Sequence, residues 1–351
     1  MKYANRKKVK RINQLKKKKK FRKFTKSNEK NCYIFYINKY SILYKLLTLL
    51  FMIIFLSFNY NVPQKDEIMD ISLFNSKVCI CTLGKEENKY IIEFIEYYKN
   101  MGVDKIYLYD INNIDGEHFE EVIDNYIKSG FVEIVDCRGK KSYQMQIVKD
   151  CYKKNHMNYD WLIFYDIDEY IHLKGHNIKS YLNQSYFNNC EVIYLNWILH
   201  TDNNKFYYEN KTLKERFPEI QKDFNTLMQM KSILRGHIPK IRIENNHLLS
   251  NNLKKCDGYG RPPITEGFGT YNIDHTNYYI DHYSCKSTEE LVKKINKGSA
   301  YYHLKNRFDR LKIALTYNEI TQEKIDYFDK NIPGFSNSSV REELIKRIKN
   351  K

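Results

Sequence analysis

Between residues 78 and 197, short apolar runs alternate with stretches of helical spacing, and that rhythm admits few folds. Val78-Cys79-Ile80-Cys81-Thr82-Leu83 reads as a buried strand. The next segment sets Ile91, Ile92, Ile95, Tyr98 and Met101 at helical spacing, with Gly102 where a helix-ending glycine belongs. The pattern then gives a strand at 105–109, a helix at 118–129 closed by Gly130, a strand at 131–135, a helix at 143–155, and strands at 161–165 and 191–197. Strand–helix–strand repeats predict right-handed crossovers and an α/β domain: a Rossmann-like, mostly parallel sheet with helices on both faces. Beyond residue 200 the pattern thins to strands at 228–234, 240–244 and 277–283. Two capping boxes follow, Ser287-Thr288-Glu289-Glu290 and Ser339-Val340-Arg341-Glu342, each opening a helix.

The charge is lopsided. The chain of 351 residues carries a formal +17, yet residues 1–40 hold 16 basic side chains against the single acid Glu29. Residues 41–351 are therefore near neutral, which excludes a basic globule built to bind nucleic acid. The tail cannot bury a core. Behind it lies Leu46-Leu47-Thr48-Leu49-Leu50-Phe51-Met52-Ile53-Ile54-Phe55-Leu56, the centre of a stretch at 41–60 long enough to cross a bilayer. The basic flank outlasts the n-region of a signal peptide, and no small-residue cleavage site follows. The positive-inside rule then predicts a single-pass type II protein: a cytoplasmic tail at 1–40, a signal anchor at 41–60, a stem at 61–76, a catalytic domain at 77–300 and a helical extension at 301–351. In that topology Asn183, Asn210 and Asn337 head glycan sequons on the lumenal side.

Ligands of parallel sheets bind outside the carboxyl ends of the strands. Gly84 stands alone there, so no dinucleotide fingerprint exists. Asp166 and Asp168 follow the apolar strand at i and i+2, and in extended backbone both carboxylates point one way. Two like charges so close need a cation, and Mg²⁺ or Mn²⁺ takes one or two carboxylates together with substrate phosphates.

The runs Tyr159-Asp160-Trp161-Leu162-Ile163-Phe164 and Tyr165-Asp166-Ile167-Asp168-Glu169-Tyr170 resemble those of the family-2-like and family-92 glycosyltransferases. So do the stretch from Glu93 to Asp110 and the late element Asp281-His282-Tyr283-Ser284-Cys285-Lys286-Ser287. The resemblance implies a GT-A fold, a nucleotide-sugar donor (usually UDP-linked), a divalent metal and inversion at the anomeric carbon. It places Asp166 at the ribose or metal, Asp168 at the metal, His282 at the metal or the diphosphate, Asp110 facing the base, and Thr82 and Glu86 lining the base pocket. Members often carry Lys-Asn-Glu after the first strand, where this chain has Lys85-Glu86-Glu87.

Inverting transfer also needs a carboxylate to take the acceptor's proton. Asp202 follows the fifth strand, with Glu215 and Asp257 as rivals, while Trp197, Tyr207 and Tyr208 are stacking candidates. Cys79 and Cys81 share one face of a strand and do not suit bridging each other. Cys137, Cys151, Cys190, Cys256 and Cys285 remain for disulfides, and no Cys-x-x-Cys suggests zinc. The expected function is metal-dependent transfer of a hexosyl group to a hydroxyl of a glycan or glycoconjugate, in a Golgi or other secretory-pathway membrane. The alternatives are a membrane-anchored nucleotidyl- or phosphotransferase and a non-catalytic, membrane-tethered sugar-binding protein.

Overall fold

In the computed structural model, the described residues are 76–140, 144–221, 229–239, 241, 243, 252–266, 269–270, 275–297, 307–316 and 318–350, all within the compact unit Asp70–Lys351. The expected tail, anchor and all but the last residue of the stem lie outside them. Among the described residues no helix is long and apolar enough to cross a membrane.

The strands are β1 (Val78–Gly84), β2 (Lys105–Asp110), β3 (Val132–Asp136), β4 (Trp161–Ile163), β5 (Glu169–Leu173), β6 (Val192–Leu199), β7 (Met230–Arg235), β8 (Lys255–Asp257), β9 (Thr265–Glu266), β10 (Gly269–Thr270) and β11 (Tyr278–His282). The helices are α1 (Asn88–Asn100), α2 (Glu120–Lys128), α3 (Gln144–Asn155), α4 (Ile178–Leu182), α5 (Leu213–Arg216), α6 (Thr288–Asn296), α7 (Arg307–Ala314), α8 (Gln322–Asn331) and α9 (Ser339–Lys349). One sheet runs β3-β2-β1-β4-β7-β6-β11-β5, with β8 beside β6. The half made of β3, β2, β1 and β4 is parallel, as the crossovers predict. β7 then enters antiparallel to both β4 and β6, and β5 antiparallel to β11, so the sheet is mixed.

Alternation along β1 explains the two cores. Val78 and Ile80 face α1, whose Ile91, Phe94, Ile95 and Tyr98 are buried with them. Cys79 and Cys81 face the other side with Ile147, Val148 and Cys151 of α3. Each such large apolar side chain contributes about 1.5–3 kcal/mol on burial. A third cluster joins α6, α7, α8 and α9 through Leu291, Ile295, Leu311, Ile325, Phe328 and Leu344. Gly102 and Gly130 follow α1 and α2 with φ of +86° and +77°, the left-handed helix ending that glycine favours.

Three local expectations change. β4 stops at Ile163, because Asp166 begins a turn in which the Glu169 N–H donates to the Asp166 carbonyl at 3.0 Å. Glu169 therefore opens a strand of its own, β5. The last helix is capped by Ser338, not Ser339: its side chain accepts the Arg341 N–H. Of the strand expected at 240–244, only Ile241 and Ile243 are described, neither in a strand.

Two disulfides, Cys81–Cys151 and Cys190–Cys256, tie β1 to α3 and the approach to β6 to β8. Cys79, Cys137 and Cys285 are buried thiols. Peptide mapping without reductant should recover these two pairs, and Cys190→Ser should lower stability by about 2–4 kcal/mol. A different pairing in the peptides would reject this arrangement.

Candidate active site

The turn after β4, the end of β11, the loop before α6 and the last turn of α6 meet at one carboxylate. Asp168 is 8% exposed. Its Oδ2 accepts from Lys294 Nζ at 3.0 Å and Lys286 Nζ at 3.4 Å, and its Oδ1 lies 3.6 Å from His282 Nε2. Burial alone would raise this carboxyl, but Lys294, Lys286 and His282 hold it well below its usual value. Burial lowers His282, against the pull of Asp168.

Asp166 looks elsewhere. Lys231, a fully buried lysine on β7, donates to its Oδ2 at 2.7 Å and stands 3.1 Å from Glu169. The Asp166 N–H in turn donates to Glu169 Oε2 at 3.0 Å. Burial pushes the Glu169 carboxyl up, and Lys231 opposes it. The two aspartates, expected to converge from extended backbone, sit in a turn and answer to different cations. Trp197 packs on His282, ring centroids 4.3 Å apart, with Lys231 near its face.

The residues expected at a base pocket stand at the ends of β1 and β2, next to the end of β3. Asp110 is fully buried; Arg138 Nε donates to its Oδ2 at 2.7 Å, and the Asn112 N–H to its Oδ1 at 2.9 Å. Arg138 also reaches His118 and Glu120. Asp110 thus shapes these loops from beneath. The Asn112 side chain accepts the N–H of Glu86, an exposed residue held at φ +55°. Thr82 Oγ1 and Asn112 Nδ2 are buried without a hydrogen-bond partner, and such atoms call for a partner that a ligand can supply.

Helix α6 carries Lys294 on a fixed frame, and Lys286 stands just before its N-cap. Ser287 and Glu290 form the expected capping box. Glu290 is held down to about 2: burial opposes ionisation, but Arg216, Ser287 and Tyr90 outweigh it. Lys297, just past the helix, donates to the Lys85 carbonyl at 2.6 Å and to Glu87 at 2.8 Å.

The base candidates are all engaged. Lys324 Nζ donates to Asp202 Oδ2 at 2.6 Å in a pair 3% and 6% exposed, and the Asn204 N–H donates to Oδ1. Glu215 closes a capping box with Thr212, and Asp257 is bound by Arg261 at 2.7 Å. Lys231, Lys294 and Arg138 were not singled out from the sequence. A lysine inside Met230-Lys231-Ser232-Ile233-Leu234 was the readable signal, since a buried charge needs a partner.

Among the described residues, no three His, Cys, Asp or Glu side chains gather as a ready metal cage. Asp168 and His282 nonetheless suit a hard cation completed by substrate phosphates. Two adjacent ligands at about 2.1 Å from one ion stand about 3 Å apart, close to the 3.6 Å seen here.

Residues 75–321 match the model of Glycosyltransferase family 92. The chain belongs to glycosyltransferase family 92. The enzyme class expected from the sequence agrees with that membership. A family 92 protein of Oryza sativa subsp. japonica is 26% identical over 109 residues, which span 31% of this chain and 18% of that protein. S. aureus TarS 1–349 in complex with UDP-GlcNAc has a TM-score of 0.34 at 11% identity, covering 75% of this chain and 76% of that one. The glycosyltransferase GlyE of Streptococcus pneumoniae TIGR4 has a TM-score of 0.23 at 12% identity, over 34% and 30% of the chains. Likenesses at that level decide nothing about this family 92 chain.

Removing one partner of a buried ion pair costs about 3–5 kcal/mol. Asp202→Asn should therefore lower the melting temperature while the folded fraction keeps its turnover within about threefold. An unchanged melt with a loss of about 10²-fold or more in kcat would make Asp202 the general base instead.

Proposed function

We propose that this family 92 protein transfers a hexosyl group from a nucleotide sugar, UDP-linked, to a hydroxyl of a glycan or glycoconjugate, by one displacement with inversion. The observation that carries the reading is the pairing of Asp168 with His282 at the carboxyl edge of the parallel strands. The unpartnered Thr82 and Asn112 atoms beside β1 and β2 support a base pocket there.

Asp168 and His282 would hold Mn²⁺ or Mg²⁺, which when bound supplies Lewis-acid stabilisation of charge on the departing diphosphate. The chain's own residues do the rest. Lys231 ties Asp166 to Glu169 and so braces the turn. Trp197, packed on His282, offers an apolar face beside the same site. We assign Asp202 to anchoring its loop against α8, since its oxygens are committed to Lys324 and Asn204.

The purified full-length protein should release UDP from at least one UDP-hexose in the presence of Mn²⁺. Asp168→Asn should cut turnover per folded molecule by about 10²-fold or more. Counting folded molecules matters, because the substitution also strips the buried Lys286 of its anion. Unchanged turnover in that variant would reject the site. Consumption of a sugar phosphate with a nucleoside triphosphate would favour the nucleotidyltransferase alternative.

We further propose that residues beyond 60 face the lumen of a secretory-pathway membrane, Golgi by expectation, anchored by the apolar run at 46–56. Two disulfides suit an oxidising compartment, and Asn183, Asn210 and Asn337 are all exposed. Protease added to sealed vesicles should spare the part beyond residue 60; its digestion would reverse the orientation.

A further inference from the structure

We propose that Lys294 is an exchangeable counter-ion: it neutralises Asp168 in the ligand-free protein, gives up that carboxylate to a divalent cation, and then pairs with the donor's diphosphate, while Lys286 stays in place. The inference rests on the nucleotide-sugar reading of the site and adds a residue and an order of charge exchange to it.

Charge counting motivates it. Around Asp168, the ammonium groups of Lys286 and Lys294 outweigh the one carboxylate by one positive charge. A divalent cation entering beside Asp168 and His282 would raise that excess to three in a largely buried pocket. One of the ammonium groups must therefore leave, or the ion will not bind. A nucleoside diphosphate linked to a sugar brings two negative charges and restores near balance.

The two lysines are not equally free to move. Lys286 has φ +57°, is 4% exposed, and stands its ammonium over the Tyr90 ring at 4.4 Å. Burial works against its charge, and Asp168, Glu87 and Glu290 outweigh that. Lys294 projects from the last turn of α6 with 23% of its side chain exposed, and besides Asp168 it touches the Ser284 carbonyl at 2.8 Å. Its backbone cannot follow, because the capping box, the Glu290–Arg216 pair and the apolar face of Leu291, Val292 and Ile295 fix the helix. Only the four-carbon stem needs to rotate. An ammonium with a flexible stem suits such a transfer better than a planar guanidinium held by two bonds.

The exchange gives two effects of opposite sign for one substitution, which a merely structural lysine would not produce. In the full-length protein, Lys294→Met should bind Mn²⁺ about tenfold more tightly without nucleotide, because the competitor for Asp168 is gone. It should bind UDP about tenfold more weakly in the presence of Mn²⁺, because a charge-assisted contact is lost. Uridine binding should stay the same. Mn²⁺ is read by its electron paramagnetic resonance signal, UDP and uridine by calorimetry. Lys294→Arg should keep UDP affinity within about threefold of wild type, which guards against a folding defect in the methionine variant.

Mn²⁺ affinity that is unchanged or weaker in Lys294→Met overturns the exchange, as does unchanged UDP affinity. A wild-type protein that binds no nucleoside diphosphate at all fails differently: that result sinks the nucleotide-sugar reading itself.

Discussion

A carboxylate removed from water must be neutralised where it stands, and Asp168 imposes that demand on the whole right half of the sheet. Meeting it brings the turn after β4 against a stretch more than a hundred residues on: the end of β11, the loop before α6 and the last turn of α6. The same rule repeats nearby, with Lys231 against Asp166 and Glu169, Arg138 against Asp110, and Arg216 against Glu290. Buried pairs of this kind add little net stability, because desolvation offsets attraction. What they fix is geometry, since a shifted partner leaves a bare charge behind.

Some of the backbone strain falls in the same region. Glu86 and Lys286 both hold left-handed conformations without being glycine, which costs on the order of 1 kcal/mol or more each. Neither is left to chance. The N–H of Glu86 is bonded by Asn112 while Lys297 grips the residues on either side of it, and Lys286 is wedged between Asp168 and Tyr90. The loop after β1 and the loop before α6 thus share one clamp, and α6 is its rigid arm.

Periodicity made the parallel half of the sheet legible, because a strand buried on both faces and a helix buried on one leave different signatures. Val78–Gly84, Lys105–Asp110 and the glycines after α1 and α2 were all readable that way. The capping box at Ser287 was readable from spacing alone. β5 was not, because Glu169 looked like an adjunct of the aspartates and its pairing partner β11 lies more than a hundred residues away. Within the site, the residue types at 166, 168 and 282 pointed to one edge of the sheet, and the structure brings 168 and 282 together there. Spacing could not tell that a turn would send Asp166 and Asp168 to separate cations. Nor could it tell that Asp202 would meet Lys324, since ion pairs across 122 positions leave no local trace.

That last pair has a bearing on where the catalytic unit ends. The family match closes at residue 321, and Lys324 lies just past it on α8. Its ammonium is the cation that Asp202 faces, and the third apolar cluster runs on through Phe335 and Leu344. A protein trimmed at the family boundary would strand a carboxylate in a dry pocket and bare the underside of the helix that carries Lys294. The C-terminal helices are thus part of the enzyme's foundation.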